Sequence, residues 1–255
     1  MMTEALLEAK HLSKRFGGLL AVNDVSLSLY KDQIHAVIGP NGAGKTTLTH
    51  LLSGDIPASS GELWLKGQSV TGWPHHRLSL HGLGRSYQKT NVFLPLTVWD
   101  NLMLAAQARD AHAPFNPLSW FQRADQQASV AQRADRALQI SGLASVKHKT
   151  AAILSHGIQR QLEIAMVLAT EPDVLLLDEP LAGMGAAEAE TMVELLQSLK
   201  KDHAMLLVEH DMNAVFALAD VLTVMVNGTV IASGTPESIR SDAKVQAAYL
   251  GEATA

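Results

Sequence analysis

The 255-residue chain contains no cysteine, which excludes disulfides, thiolate metal sites and cysteine nucleophiles and suits a reducing cytoplasm. It also lacks an excess of positive charge, with 20 Lys and Arg against 25 Asp and Glu and a formal net charge of −5. That balance argues against a protein that coats nucleic acid, and any site for a polyanion must be made positive locally. No apolar run approaches the ~18 residues needed to span a bilayer. The opening residues Met1 to Ala5 show no basic region leading into an apolar core, so no secretory signal is expected. Work at a membrane would have to go through a partner. Neither repeats nor several domains are required, because 47% hydrophobic residues suffice for one large core, or one core with a smaller satellite lobe.

What is present is a phosphate-binding loop. Gly39-Pro40-Asn41-Gly42-Ala43-Gly44-Lys45-Thr46-Thr47 fits the pattern G-x-x-x-x-G-K-[ST]. Before it, Ile34 to Ile38 is a short, mostly apolar run suited to a buried strand; after it, Leu48, Leu51 and Leu52 recur at helical spacing. In that context the glycines free the backbone to wrap a polyphosphate, and the amides at the helix start point at it. Lys45 adds a positive charge for the β- and γ-phosphates, and Thr46 can offer its hydroxyl to Mg²⁺.

Leu6 to Leu12 and Val25 to Tyr30 read as β-segments with turn-like residues between them, forming an antiparallel flap. Phe16, between Arg15 and Gly17-Gly18, is either an ordinary core residue or an aromatic that stacks on an adenine ring with Val22 against the other edge. Gly61 to Gln68 looks like a short strand closed by a turn, and Gln88, by itself an ordinary surface glutamine, opens the segment 89–94. From Thr97 to about Leu154 alanine, glutamine and arginine dominate, which predicts a helical lobe. Within it Val130, Ala134, Ala137, Leu138 and Ser141 share one helix face, and Gly142 is placed to end that helix. Asp110 to Ser119, with Pro114 and Pro117, reads as a loop; Phe115, Trp120 and Phe121 either pack locally or mark a contact surface.

Ser155 is a natural N-cap for a helix carrying Ile158, Leu162, Ala165 and Leu168 on one side. Its hydroxyl, Gly157 and the free helix amides also make a second surface able to face a phosphate. Val174 to Leu177 reads as a parallel strand buried on both faces that ends in Asp178-Glu179-Pro180. Carboxylates there face the ligand crevice: Asp178 is suited to orient Mg²⁺ or its waters, and Glu179 to polarise an attacking water. Ala204 to Val208 is a similar strand whose end brings His210 to the same edge. Val224 to Ile231 reads as a hairpin with a type I′ turn, and the tail from Thr235 as helical. His75-His76 has no acidic or cysteine neighbours to suggest a metal site.

Taken together, the phosphate loop, Gln88, the segment Leu154 to Arg160, Asp178-Glu179 and His210 stand in the order and approximate separations of an ATP-binding cassette domain, which the whole chain resembles. The resemblance implies an α/β P-loop core with a mostly parallel sheet and flanking helices, an N-terminal antiparallel β flap and an inserted helical subdomain. A single domain over 1–255 is expected, with the subdomain at about 89–160 and a helical tail at about 236–255. It further implies that Phe16 stacks on adenine and that Gln88 touches both Mg²⁺ and the transport subunit. Glu179 becomes the catalytic carboxylate, and His210 the switch near the γ-phosphate. Ser155, His156 and Gly157 fall in the signature segment, which closes over ATP held by an opposite subunit in a head-to-tail pair.

Arg15-Phe16-Gly17-Gly18, Leu162-Glu163-Ile164-Ala165, Glu209-His210-Asp211-Met212 and the tail Ala248-Tyr249-Leu250-Gly251-Glu252 are similar to the ATPase subunits of branched-chain amino acid importers, whose relatives move urea, short amides or aromatic acids. The resemblance implies two membrane permease subunits, an indirect link to a substrate-binding protein, and a peripheral place on the cytoplasmic face of the inner membrane. Three positions depart from the broad family. His156 and Ile158 replace the usual glycine and glutamine, and Gly185 stands where an aspartate often ties the two ATP sites together. A soluble cassette acting on ribosomes or DNA is the competing class; a single phosphate loop, no sustained heptads and the acidic balance count against it.

Overall fold

The computed structural model describes residues 4–88, 91–109 and 119–250. Residues 110–118 of the loop expected at 110–119, residues 89–90 and 251–255, and the side chains of Trp120 and Phe121 lie outside the described residues, and Ser119 opens a helix. The strands are β1 (Leu7–Phe16), β2 (Leu19–Leu29), β3 (Gln33–Ile38), β4 (Ser60–Leu65), β5 (Gln68–Ser69), β6 (Leu83–Arg85), β7 (Val174–Asp178), β8 (Ala204–Val208), β9 (Val221–Val226) and β10 (Thr229–Gly234). The helices are α1 (Lys45–Leu52), α2 (His75–Leu80), α3 (Val98–Ala108), α4 (Ser119–Ile140), α5 (His156–Leu168), α6 (Ala186–Leu199), α7 (Met212–Leu218), α8 (Pro236–Arg240) and α9 (Ala243–Leu250).

The strands form two sheets. A flap of order β2-β1-β4-β5 is antiparallel, and a six-stranded sheet runs β10-β9-β3-β8-β7-β6. In the larger sheet β3, β6, β7, β8 and β9 are parallel, and only β10 reverses. Every residue of β7 and β8 is buried, as their unbroken apolar runs require. Alternate residues serve different cores: Ile34, Ala36, Leu175, Leu177, Met205 and Leu207 pack toward α3 to α7. Val37, Val174, Leu176, Leu206 and Val208 pack toward α1 and the flap. The sheet therefore separates two cores, and its carboxyl edge is held rigidly from both sides.

The flap strands run longer than the sequence predicts, continuing past Leu12 to the turn at Gly17-Gly18. The polar stretch between is absorbed by register shifts, with His11 and Asp24 at φ 53° and 54°. Hydroxyls take the amides that the shifts displace: Ser26 accepts from the His11 N–H and Ser13 from the Asp24 N–H, both at 2.9 Å. In the helical region, α3 opens with a capping box between Thr97 and Asp100. Val130, Ala134, Ala137 and Leu138 of α4 and Ser141 just beyond it are all buried, and Gly142 follows the helix end at φ 69°. The predicted hairpin turn is present, with Asn227 and Gly228 at φ 49° and 78°.

Candidate active site

Between β3 and α1 the chain makes a tight loop in which glycine is required. A Cβ on Gly39 would stand 2.1 Å from the Met225 carbonyl oxygen, and one on Gly44 would stand 2.4 Å from that of Ala21. The β9–β10 turn braces the loop, because the Gly228 N–H donates to the Ala43 carbonyl at 2.9 Å. Lys45 opens α1, and its ammonium donates to the carbonyls of Gly39 at 2.6 Å and Pro40 at 3.0 Å. The loop thus frames a cleft of about 490 Å³. Asn41 to Thr47 floor it, Leu19 to Ala21 and Asn227-Gly228 wall it, and Gln88, Glu179 and His210 close it.

Glu179 follows β7 in a left-handed conformation at φ 49°, with its N–H donating to the Val208 carbonyl at 2.8 Å. This turn presents its carboxylate to two partners. His210 Nε2 lies 2.7 Å from Oε1, and Gln88 Nε2 donates to Oε2 at 3.2 Å. Two residues widely separated in sequence thereby converge on one carboxylate at the cleft. Asp178, one residue earlier, is buried and does not line the cleft. Burial raises its carboxyl above the usual range, opposed by the Arg85 guanidinium, which lies 3.9 Å away.

The two expected adenine contacts sit in different environments. Phe16 is not core: it is 47% exposed at the end of β1, with the Lys14 ammonium 5.1 Å from its ring centroid. It pairs across the hairpin with Leu19, which lines the cleft. Val22 is fully buried under the flap and does not line the cleft, a correction that follows from strand alternation. Ala21, its neighbour, faces the cleft in its place.

The signature segment lies apart from this cleft, for none of Ser155, His156 and Gly157 lines it. Ser155 caps α5 as predicted, accepting from the Ile158 N–H at 3.4 Å, and donates to Glu188 Oε1 at 2.6 Å. His156 rests beside Gly183, where an added Cβ would stand 3.3 Å from its Cε1. Ile158 packs against the core, and Gly185 caps α6 with no side chain to offer.

Several contributing residues escape a reading of the sequence alone. Arg160 of α5 is buried, donating to the carbonyls of Tyr87 at 2.6 Å, Gln88 at 2.8 Å and Glu179 at 3.3 Å. It also pairs with Glu163 at 2.6 Å, whose carboxyl burial pushes up and Arg160 holds down. One guanidinium thus ties the signature helix to both glutamine and glutamate of the cleft. The available signal was this i,i+3 pair, Arg160 and Glu163 being the only Lys, Arg, Asp or Glu residues of α5. Glu209, also buried, accepts from the Leu181 N–H at 2.9 Å and the His210 N–H at 3.0 Å, fixing the strand-end turns.

The donors suit magnesium. Among the described residues no cluster of three or more His, Cys, Asp or Glu could hold a metal. Thr46 is exposed in the cleft, the Gln88 amide borders it, and Asp178 stands at the strand end behind. These are hard oxygen donors of the kind Mg²⁺ takes.

A glycine loop with a lysine at the start of α1, facing acidic residues at the carboxyl edge of a parallel sheet, defines a P-loop nucleoside triphosphatase. Residues 22–182 match the family model for the ABC transporter, and residues 229–255 match that for the branched-chain amino acid ATP-binding cassette transporter. The chain belongs to the ABC transporter family and is an ATPase of the cassette type. It is 40% identical to the high-affinity branched-chain amino acid transport ATP-binding protein LivG of Escherichia coli (strain K12), covering 99% of this chain and 100% of LivG. It is 38% identical to BraF, the protein of the same description from Pseudomonas aeruginosa, covering 99% and 100%. The fold superposes on the crystal structure of a nucleotide-free ATP-binding cassette from an ABC transporter, with a TM-score of 0.84 and 28% identity, covering 96% of this chain and 99% of that one.

Proposed function

We propose that this chain hydrolyses ATP to power an importer of branched-chain amino acids or related small polar solutes. It works as a head-to-tail pair of ATPase subunits beneath two membrane permeases at the cytoplasmic face of the inner membrane, with a substrate-binding protein delivering cargo from outside. The observation that carries this reading is the convergence of Lys45, Gln88, Glu179 and His210 on one cleft while Ser155 and Gly157 face elsewhere. A signature with phosphate-binding chemistry but no nucleotide cleft of its own calls for a second subunit.

In this mechanism Phe16 stacks on the adenine, the loop 39–47 wraps the phosphates, and Lys45 turns from its own loop carbonyls to the terminal phosphates. Thr46 and Gln88, with Asp178 behind, would hold Mg²⁺, which would supply positive charge to the phosphates when bound. Glu179, oriented by Gln88 and His210, takes the proton of the attacking water as the water oxygen bonds to the γ-phosphorus and the bond from that phosphorus to the ADP oxygen breaks. His210 then remains positioned to sense the γ-phosphate. No helix among the described residues is long and apolar enough to cross a membrane, so contact with the bilayer falls to the permeases.

The head-to-tail arrangement is tested with mixed dimers. Lys45→Ala and Ser155→Arg proteins should each be inactive alone, since one lacks both loops and the other has both closing surfaces blocked. Their mixture should recover up to half the activity per mixed dimer, because one composite site is intact. A silent mixture that also fails to crosslink between positions 45 and 155 would overturn the trans assignment.

Permease contact is proposed around Phe93 and Leu94, which are 55% and 45% exposed beside the still more exposed Ile153. Buried Asn101 holds the Phe93 backbone by both its amide and its carbonyl, at 2.8 and 3.1 Å, so the apolar side chain is displayed on a fixed segment. Phe93→Asp should uncouple uptake of labelled leucine in the whole transporter while leaving basal ATPase activity unchanged. A parallel fall of both would move the interface elsewhere. Uptake of urea, amides or aromatic acids in place of leucine would correct the cargo alone.

A further inference from the structure

Glu188 occupies the third position of α6, behind the N-cap glycine Gly185. In a capping box a glutamate there turns back to the N-cap amide. Here the carboxylate reaches across to the start of α5. Its Oε1 accepts the Ser155 O–H at 2.6 Å, the length of a charge-assisted bond. Gly157 approaches so closely that a Cβ would stand 2.4 Å from the carboxyl carbon and 2.5 Å from Oε2. The seat is electrostatically favourable, because the carboxylate lies at the start of one helix and in the first turn of another. Both groups by which the signature would meet a phosphate are therefore covered by an anion from the same chain.

A serine hydroxyl has one proton to donate. Ser155 gives it to Glu188, while its oxygen already accepts from the Ile158 amide. An incoming γ-phosphate must compete for that proton and meet a negative charge on arrival. We infer that Glu188 is a positioning residue for the trans ATP site: its carboxylate holds the Ser155 hydroxyl and stands beside Gly157 where a phosphate would come, and it must leave Ser155 before the opposing subunit's ATP is gripped. The inference rests on the proposed trans role of Ser155. Glu188 then sets how much ATP is needed to close the dimer, without touching the nucleotide bound in its own subunit.

The test is ATP-driven dimer formation, followed by analytical ultracentrifugation in a Glu179→Gln background that blocks turnover. Glu188→Gln keeps the shape and the acceptor but removes the charge, and Glu188→Ala removes the contact. Both should lower the ATP concentration for half-maximal dimer by on the order of tenfold, the scale of one screened like-charge contact. Affinity of the dilute monomer for a fluorescent ATP analogue should stay unchanged. If the parent remains monomeric with ATP, the neutral variants should dimerise, and monomers throughout would overturn the inference. An unchanged or higher ATP requirement in Glu188→Gln would do the same. So would a weaker dimer in Glu188→Ala that glutamine restores to parental behaviour, since that marks a merely structural contact. Ser155→Arg separates the two levels: if it leaves ATP-driven dimerisation intact, the trans reading itself fails and the Glu188 inference falls with it. If it abolishes the dimer while Glu188→Gln changes nothing, only Glu188 is refuted.

Discussion

Lys45→Ala is expected to lose ATP affinity by about 10²–10⁴-fold, the scale of removing two charge-assisted hydrogen bonds from the terminal phosphates. The loop can offer no substitute, because the other residues from Gly39 to Thr47 carry no charge. The fold should survive the change. Lys45 Nζ bonds here to the carbonyls of Gly39 and Pro40, whose shape is fixed independently by the tight approaches at Met225 and Ala21. Pro40 is only half-buried, so water can take over at least part of the freed bonding. Titration with a fluorescent ATP analogue measures the effect, and a thermal melt within a few degrees of wild type shows that it is not unfolding. Unchanged affinity would remove the loop from the nucleotide site and with it the central assignment.

How much of this site could be read beforehand depended on how each feature is encoded. The phosphate loop was legible because backbone geometry dictates its glycines, and β7 and β8 were legible because burial on both faces leaves no room for polar residues. The helix face of Val130, Ala134 and Ala137 and the Asn227-Gly228 turn follow local rules in the same way. Arg160 followed no local rule, since its acceptors at Tyr87 and Gln88 lie 73 and 72 residues away and are carbonyls, which every residue has. Val22 lies in the core because the pleat of β2 turns it inward, and a valine's type alone does not say which face it takes. The extension of β1 and β2 depended on Ser13 and Ser26 repairing irregular registers, a service that serine's presence alone does not announce. Glu188 reads as a routine acidic first-turn residue until the fold sets Ser155 against it.

Glu179→Gln is expected to retain ATP binding while hydrolysis falls by about 10²–10⁴-fold, the usual effect of removing a positioned general base. The substitution is close to isosteric and leaves the left-handed turn at 179 in place, because glutamine meets the same φ of 49° that glutamate already occupies. An amide oxygen can still accept from Gln88, and the amide N–H₂ can face His210, so the cleft should keep its form. What disappears is the second acceptor oxygen that takes a proton from water. In the wild-type arrangement each oxygen has one partner, His210 at 2.7 Å and Gln88 at 3.2 Å, and keeps a lone pair for water, so the two partners orient the base. The longer contact, to Gln88, is the weaker, and Gln88 belongs to the segment proposed to meet the permease. A permease signal that moves Gln88 would thus reorient the base at the moment of coupling. Single-turnover kinetics should show the variant arrested as an ATP-bound dimer, with the chemical step slowed and nucleotide affinity intact. Wild-type turnover would transfer the role of base to another group at this edge, His210 first, and leave Glu179 as the anchor for the histidine.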